Sequence, residues 1–188
     1  MLVYIHNGDL KRGRITAAKI EDLLRKYKTE LRMEMRVVLI INTANFYIMD
    51  SSYESALKLI NSFLNEIPPS FTKDRYDFAR LLQLIIHFEL KNYDVIENSI
   101  DSVYRFMRER NSIFSAETSV FKFLRQALKT ERSKLKPVYE ELVYDLEKTQ
   151  DDPAIRTTLS MFNFIIWAKS KILNKSMAEI IKEEQIYI

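Results

Sequence analysis

Two stretches of the chain share one form at an offset of forty residues. Ala44–Ile60 and Leu84–Ile100 each run from an apolar helix through a short polar turn to a tyrosine, Tyr53 or Tyr93, that opens an amphipathic helix. One hairpin of this kind cannot bury its own apolar face and needs stacked neighbours, so the repeat constrains the chain to layered helices. Composition points the same way. The only glycines are Gly8 and Gly13, whereas a sheet of this size needs many turn glycines. An apolar content of 47 % excludes a disordered chain. The reading is a single all-α helical-repeat domain over 1–188, with about eight helices in antiparallel hairpins. Residues 29–110 form two hairpins and 111–188 close the array.

Apolar spacing places a first helix from Ile15 to Lys28 and a long second one from Thr29 to Met49. Asp50-Ser51-Ser52 breaks the pattern, and Ser51 with Glu54 has the form of a capping box. Pro68-Pro69 ends the helix that starts at Tyr53. Further helices are expected over 73–90, 93–109 and from Asn111 or Ser112 to Lys129. Pro137 is tolerable only in the first turn of the next helix. Asp152-Pro153 reads as an N-cap with proline at the first helical position, opening one helix to Asn174. Ser176 with Glu179 is a second capping box.

On Ala44, Tyr47, Tyr53, Ala56, Ile60 and Pro68 the first hairpin resembles a tetratricopeptide repeat. The second keeps Tyr93 and Ile100, but has Ile96 for the small residue, His87 for the aromatic and Arg108 for the closing proline. Its offset also exceeds the family's spacing of about thirty-four residues. The stretch Tyr104-Arg105-Phe106-Met107-Arg108 is similar to one found in bacterial helical-repeat proteins. The resemblance implies a short right-handed solenoid with a peptide-binding concave surface. That surface maps to a candidate groove of Asn45, Ile48, Ile85 and Phe88. Asn45 falls where the family's carboxylate clamp has asparagine, but Ile41 and Leu81 replace its basic companions. An apolar face of this kind is either a groove for a protein or peptide, or is covered by the chain's own 153–174 helix with its Trp167.

No catalytic constellation emerges. His87 lies in an apolar helix without metal-ligand spacing, His6 in an expected loop, and no glycine-rich phosphate loop is possible. Glu140-Glu141 and Glu183-Glu184 are consecutive and point to different sides of a helix. The expectation is therefore a protein that is not an enzyme and uses no cofactor. Cysteine is absent, which removes thiolate sites and disulfides and fits a cytoplasmic setting. No signal peptide is expected at the start, nor does any segment approach the roughly 20 apolar residues of a membrane span.

Charge is unevenly placed. Residues 105–136 carry nine Lys/Arg against three Asp/Glu, whereas 137–188 carry six against nine. Lys122, Arg125, Lys129 and Arg132 recur at helical spacing and define a candidate basic face. Phe106, Phe114, Phe121 and Phe123 interleave with this belt, as single-stranded nucleic acid would require. The leading expectation is a protein–protein interaction scaffold, and the alternative is nucleic-acid binding by the belt. The opening Leu2-Val-Tyr-Ile5, without a polar capping helix, suggests a place in a longer array or a homodimer.

Overall fold

The computed structural model describes residues 9–149 and 153–184, together with Tyr4 and Asn7. His6, Gly8, the opening residues 2–5 as a segment and the Asp152 cap lie outside the described residues. The fold is all-α. Among the described residues ten helices follow in order: α1 (Leu10–Lys26), α2 (Met33–Met49), α3 (Tyr53–Glu66), α4 (Lys73–Glu89), α5 (Tyr93–Glu109), α6 (Ser115–Leu128), α7 (Lys136–Lys148), α8 (Pro153–Met161), α9 (Phe164–Leu173) and α10 (Met177–Glu184). A 3₁₀ turn, Arg132–Lys134, precedes α7. Helices adjacent in sequence pack on one another from α1 to α7, and one apolar cluster runs from Ala17 to Ile181.

The duplication is written into the backbone. Ser51 takes a left-handed φ of 57°, and Lys91, forty residues on, takes 65°. Ser52 N–H donates to Tyr47 C=O at 2.8 Å, as Asn92 N–H does to His87 C=O at 3.0 Å. Each is a Schellman ending, which satisfies the last carbonyls of one helix and reverses the chain into the next. Asn111 repeats it, with Ser112 N–H on Met107 C=O. The Ser51–Glu54 capping box does not form, because Ser51 belongs to this left-handed ending of α2. The N-cap of α3 is Ser52, and its hydroxyl donates to Asp50 rather than to the helix.

Several boundaries differ from those read in the sequence. α1 starts at Leu10, because the Asp9 carboxylate accepts from Arg12 N–H at 3.1 Å. The 153–174 helix is two helices. Phe162 and Asn163 are unwound, and the Asn163 side chain accepts from Ile166 N–H at 3.0 Å, starting α9 afresh. This break contributes to the ten helices among the described residues, close to the eight or so expected. Pro137 lies in the first turn of α7, and Ser176 and Glu179 do form a reciprocal capping box.

Gly13 sits inside α1, where α1 crosses α2. A Cβ there would meet the Phe46 ring at 2.1 Å, and Phe46 is itself fully buried. Gly13→Ala is therefore expected to destabilise the fold by about 1–3 kcal/mol through overpacking, despite alanine's better helix propensity. Urea denaturation of the two forms checks this.

Candidate functional site

The inner face expected to form a groove is covered by the chain itself. Ile48, Ile85 and Phe88 are at most 5 % exposed, so they do not line an open groove with Asn45. The reason is α9. Phe164, Ile166, Trp167 and Ala168 are all fully buried, and Phe164 packs on Phe78 with ring centroids 6.3 Å apart. Asn45, at the clamp position, donates its side-chain N–H to the Met161 carbonyl at the α8–α9 break. The Trp167 indole N–H donates to Glu89. Its ring lies 5.4 Å from Phe123 and 5.6 Å from Tyr139. Glu89, near the end of α4, thus holds the chain's own tryptophan.

A second interior feature had no sequence signal. Asp77 is 1 % exposed and accepts from Arg110 Nε at 2.8 and 3.0 Å and from the Ser112 hydroxyl. Nearby, Glu117 accepts from Phe114 N–H at 3.0 Å and from the Thr158 hydroxyl at 2.6 Å. These bonds tie α4 to the α5–α6 turn and α6 to α8. Both carboxylates are engaged with the fold, and no group of three metal-ligating side chains exists among the described residues. Burial holds His87 below its ordinary pKa. Its Nδ1 lies 3.2 Å from the Asn92 amide, with no carboxylate partner among the described residues.

The basic face does not stand free as a stripe. Lys122 donates to Asp145 and Glu141 of α7, each at 2.8 Å. Arg125 donates to Asp101 at 2.9 Å and lies 4.9 Å above the Tyr104 ring. Arg132 donates to the Tyr93 hydroxyl at 2.8 Å. Lys129 is exposed and has no partner among the described residues. Phe121 and Phe123 are buried, so they are core residues rather than stacking surfaces. Lys122, Arg125 and the C-cap residue Lys129 belong to α6, but Arg132 lies beyond its end in the 3₁₀ turn, and packing of α6 against α5 and α7 gives Lys122 and Arg125 internal partners.

A different cationic surface emerges where remote segments meet. The α2–α3 turn, the 3₁₀ turn, the start of α7 and the α9–α10 junction enclose a cleft of about 390 Å³, lined by Arg132, Lys136, Lys171 and Lys175 and by no carboxylate. Ser51, Tyr53, Ser133, Tyr139 and Ser176 supply hydroxyls. Lys171 donates to Glu89 at 2.8 Å and to the Tyr53 hydroxyl at 3.1 Å. Burial disfavours its charge, but the field of Glu89 outweighs this and holds the ammonium above its ordinary pKa. Lys175 pairs with Glu183 at 2.7 Å. Lys136 is exposed without a partner among the described residues.

Tyr139 forms the floor of this cleft. It is only 7 % exposed, its ring packs on Phe123 and Trp167, and its hydroxyl has no hydrogen-bond partner among the described residues. Burial raises its pKa, so it presents a neutral O–H. Arg132 was the only one of these side chains marked as a candidate in the sequence. Arg132 with Lys136, and Lys171 with Lys175, are i, i+4 pairs, but only the packing of α9 on α7 brings the two pairs together. No helix among the described residues is long and apolar enough to cross a membrane. Compared with protein-family models, curated proteins and solved structures, the chain matches none.

Proposed function

We propose that the chain is a non-enzymatic protein–protein interaction scaffold built on tetratricopeptide-like hairpins, and that it meets its partner through the cationic cleft rather than the concave groove. One observation carries this reading: the cleft is open, has a volume in the range of ligand pockets, and collects four cations with no lining carboxylate. The filled concavity supports it, because the apolar surface that would compete for a peptide is already covered. The alternative, nucleic-acid binding by the 105–136 belt, retains Arg105, Arg108 and Lys129 as exposed cations without ion pairs among the described residues. It is the weaker reading, since the belt's Phe121 and Phe123 are buried.

Site-specific photo-crosslinking tests the proposal. A photoreactive residue at Ser133, at the cleft, is expected to capture a discrete protein in the cells that make this chain. The same residue at Glu109, at the opposite end of α5 from Tyr93, is expected not to. Equal capture at both positions, or capture of nucleic acid at Ser133, would sink the reading.

A further inference from the structure

The charge within the cleft specifies more than an acidic partner. Four cations face it, and two carboxylates, Glu89 and Glu183, are paired with Lys171 and Lys175. Arg132 has only the neutral Tyr93 hydroxyl, and Lys136 has no partner among the described residues. Four positive charges against two negative ones leave two in excess, held by Arg132 and Lys136 on adjacent turns. A carboxylate would cancel one of these. A phosphate monoester carries about −1.5 to −2 at neutral pH and offers three strong acceptor oxygens.

The neutral donors suit the same ligand. Tyr139, more than nine-tenths buried, lines the cleft, and its hydroxyl donor is unused among the described residues. α7 begins at the cleft with Leu135 at its N-cap, a residue that supplies no capping side chain. The positive end of its macrodipole adds to the attraction for an anion, although Pro137 has no N–H and the Val138 N–H is bonded to the Leu135 carbonyl at 3.0 Å.

We propose that the cleft is a binding site for a phosphate monoester dianion, held by Arg132 and Lys136 with Tyr139 as the buried donor. This rests on the scaffold reading in taking the phosphoryl group to be carried by a phosphorylated side chain of the partner protein.

Isothermal titration of the full chain tests it with four probes: a peptide library centred on phosphoserine, the same library with serine, the same with glutamate, and inorganic phosphate. The phosphoserine library is expected to bind at least about tenfold more tightly than the serine and glutamate libraries, and more tightly at low salt. Lys136→Glu is expected to weaken that binding by about tenfold or more. Tyr139→Phe, which keeps the ring in the core, is expected to weaken it by about tenfold. Equal binding of the three libraries overturns the phosphate assignment and leaves the scaffold reading standing. Binding of inorganic phosphate with no gain from any peptide supports the phosphate site and overturns the scaffold reading for this surface. Phosphopeptide binding unchanged in both Lys136→Glu and Tyr139→Phe, with each variant folded by circular dichroism, overturns the site. So does a single-stranded oligonucleotide that displaces the phosphopeptide at lower concentration than the unlabelled phosphopeptide does.

Discussion

Trp167→Ala should destabilise the fold by about 3–5 kcal/mol, which for a chain of this length lowers Tm by roughly 6–20 °C. Trp167 is fully buried, the largest side chain in the core. Its ring packs edge-on against Phe123 and Tyr139, and Phe123 continues to Phe88 at 5.5 Å. Removing the indole opens a cavity at the meeting point of α4, α6, α7 and α9. It also deprives Glu89 of a donor, leaving only Lys171. Trp167→Phe should cost less, because most of the packing survives and only the N–H is lost. Thermal unfolding followed by circular dichroism separates the three proteins. A fall of less than about 1 kcal/mol for the alanine variant, the size of an ordinary surface change, would mean that α9 does not fill the concavity.

Arg110→Ala carries the second large effect. Asp77 is almost completely enclosed, whereas Arg110 reaches water with about a quarter of its side chain. Removing the arginine strands a buried carboxylate with the Ser112 hydroxyl as its remaining donor. Breaking a buried pair by deleting one partner costs about 3–5 kcal/mol. The guanidinium also donates to the Pro69 carbonyl at 2.9 Å and stacks 5.1 Å from Phe106, so its loss loosens the α3–α4 connection too. The reverse change, Asp77→Ala, should be milder, since the arginine left behind can turn to solvent. The double variant Asp77→Leu, Arg110→Met should recover part of the loss, because no buried charge then remains. Urea midpoints of the four proteins check the order. Equal losses for the two single changes would show that the carboxylate is less enclosed than its geometry indicates.

The fold was legible in the chain to different depths. Tyr53 and Tyr93 each open a helix just after a reversal, and Ser51 and Lys91 take the same left-handed conformation before them. The capping box at Ser51–Glu54 was not formed. Its residues fit the pattern, but Ser51 is taken up by the Schellman ending of α2, and Ser52 is the N-cap of α3. The break at Phe162-Asn163 escaped periodicity, since apolar residues continue through it and only the Asn163 cap restarts the helix.

The candidate site was legible only in fragments. Ile48, Ile85 and Phe88 stand at the spacing of an inner helical face, and that face exists. Whether it meets solvent depends on α9, which lies far along the chain and is placed by the aromatic contacts of Phe164 and Trp167. The basic periodicity of Lys122, Arg125 and Lys129 is likewise genuine, while the carboxylates that engage Lys122 and Arg125 come from neighbouring helices.

The sequence by itself determined the local order: where apolar residues recur every three or four positions, where polar turns interrupt them, and which hairpin repeats another. Those are consequences of helix geometry and of backbone preferences within a few residues. Only the tertiary structure decided which surfaces remain open. α9 packs on α7 and withdraws Phe164, Ile166 and Trp167 from water. The same docking leaves Arg132, Lys136, Lys171 and Lys175 around one cleft. Like charges so gathered repel, and no local rule of sequence places them together. They are held by the packing of the core beneath them, on Tyr139 and Trp167.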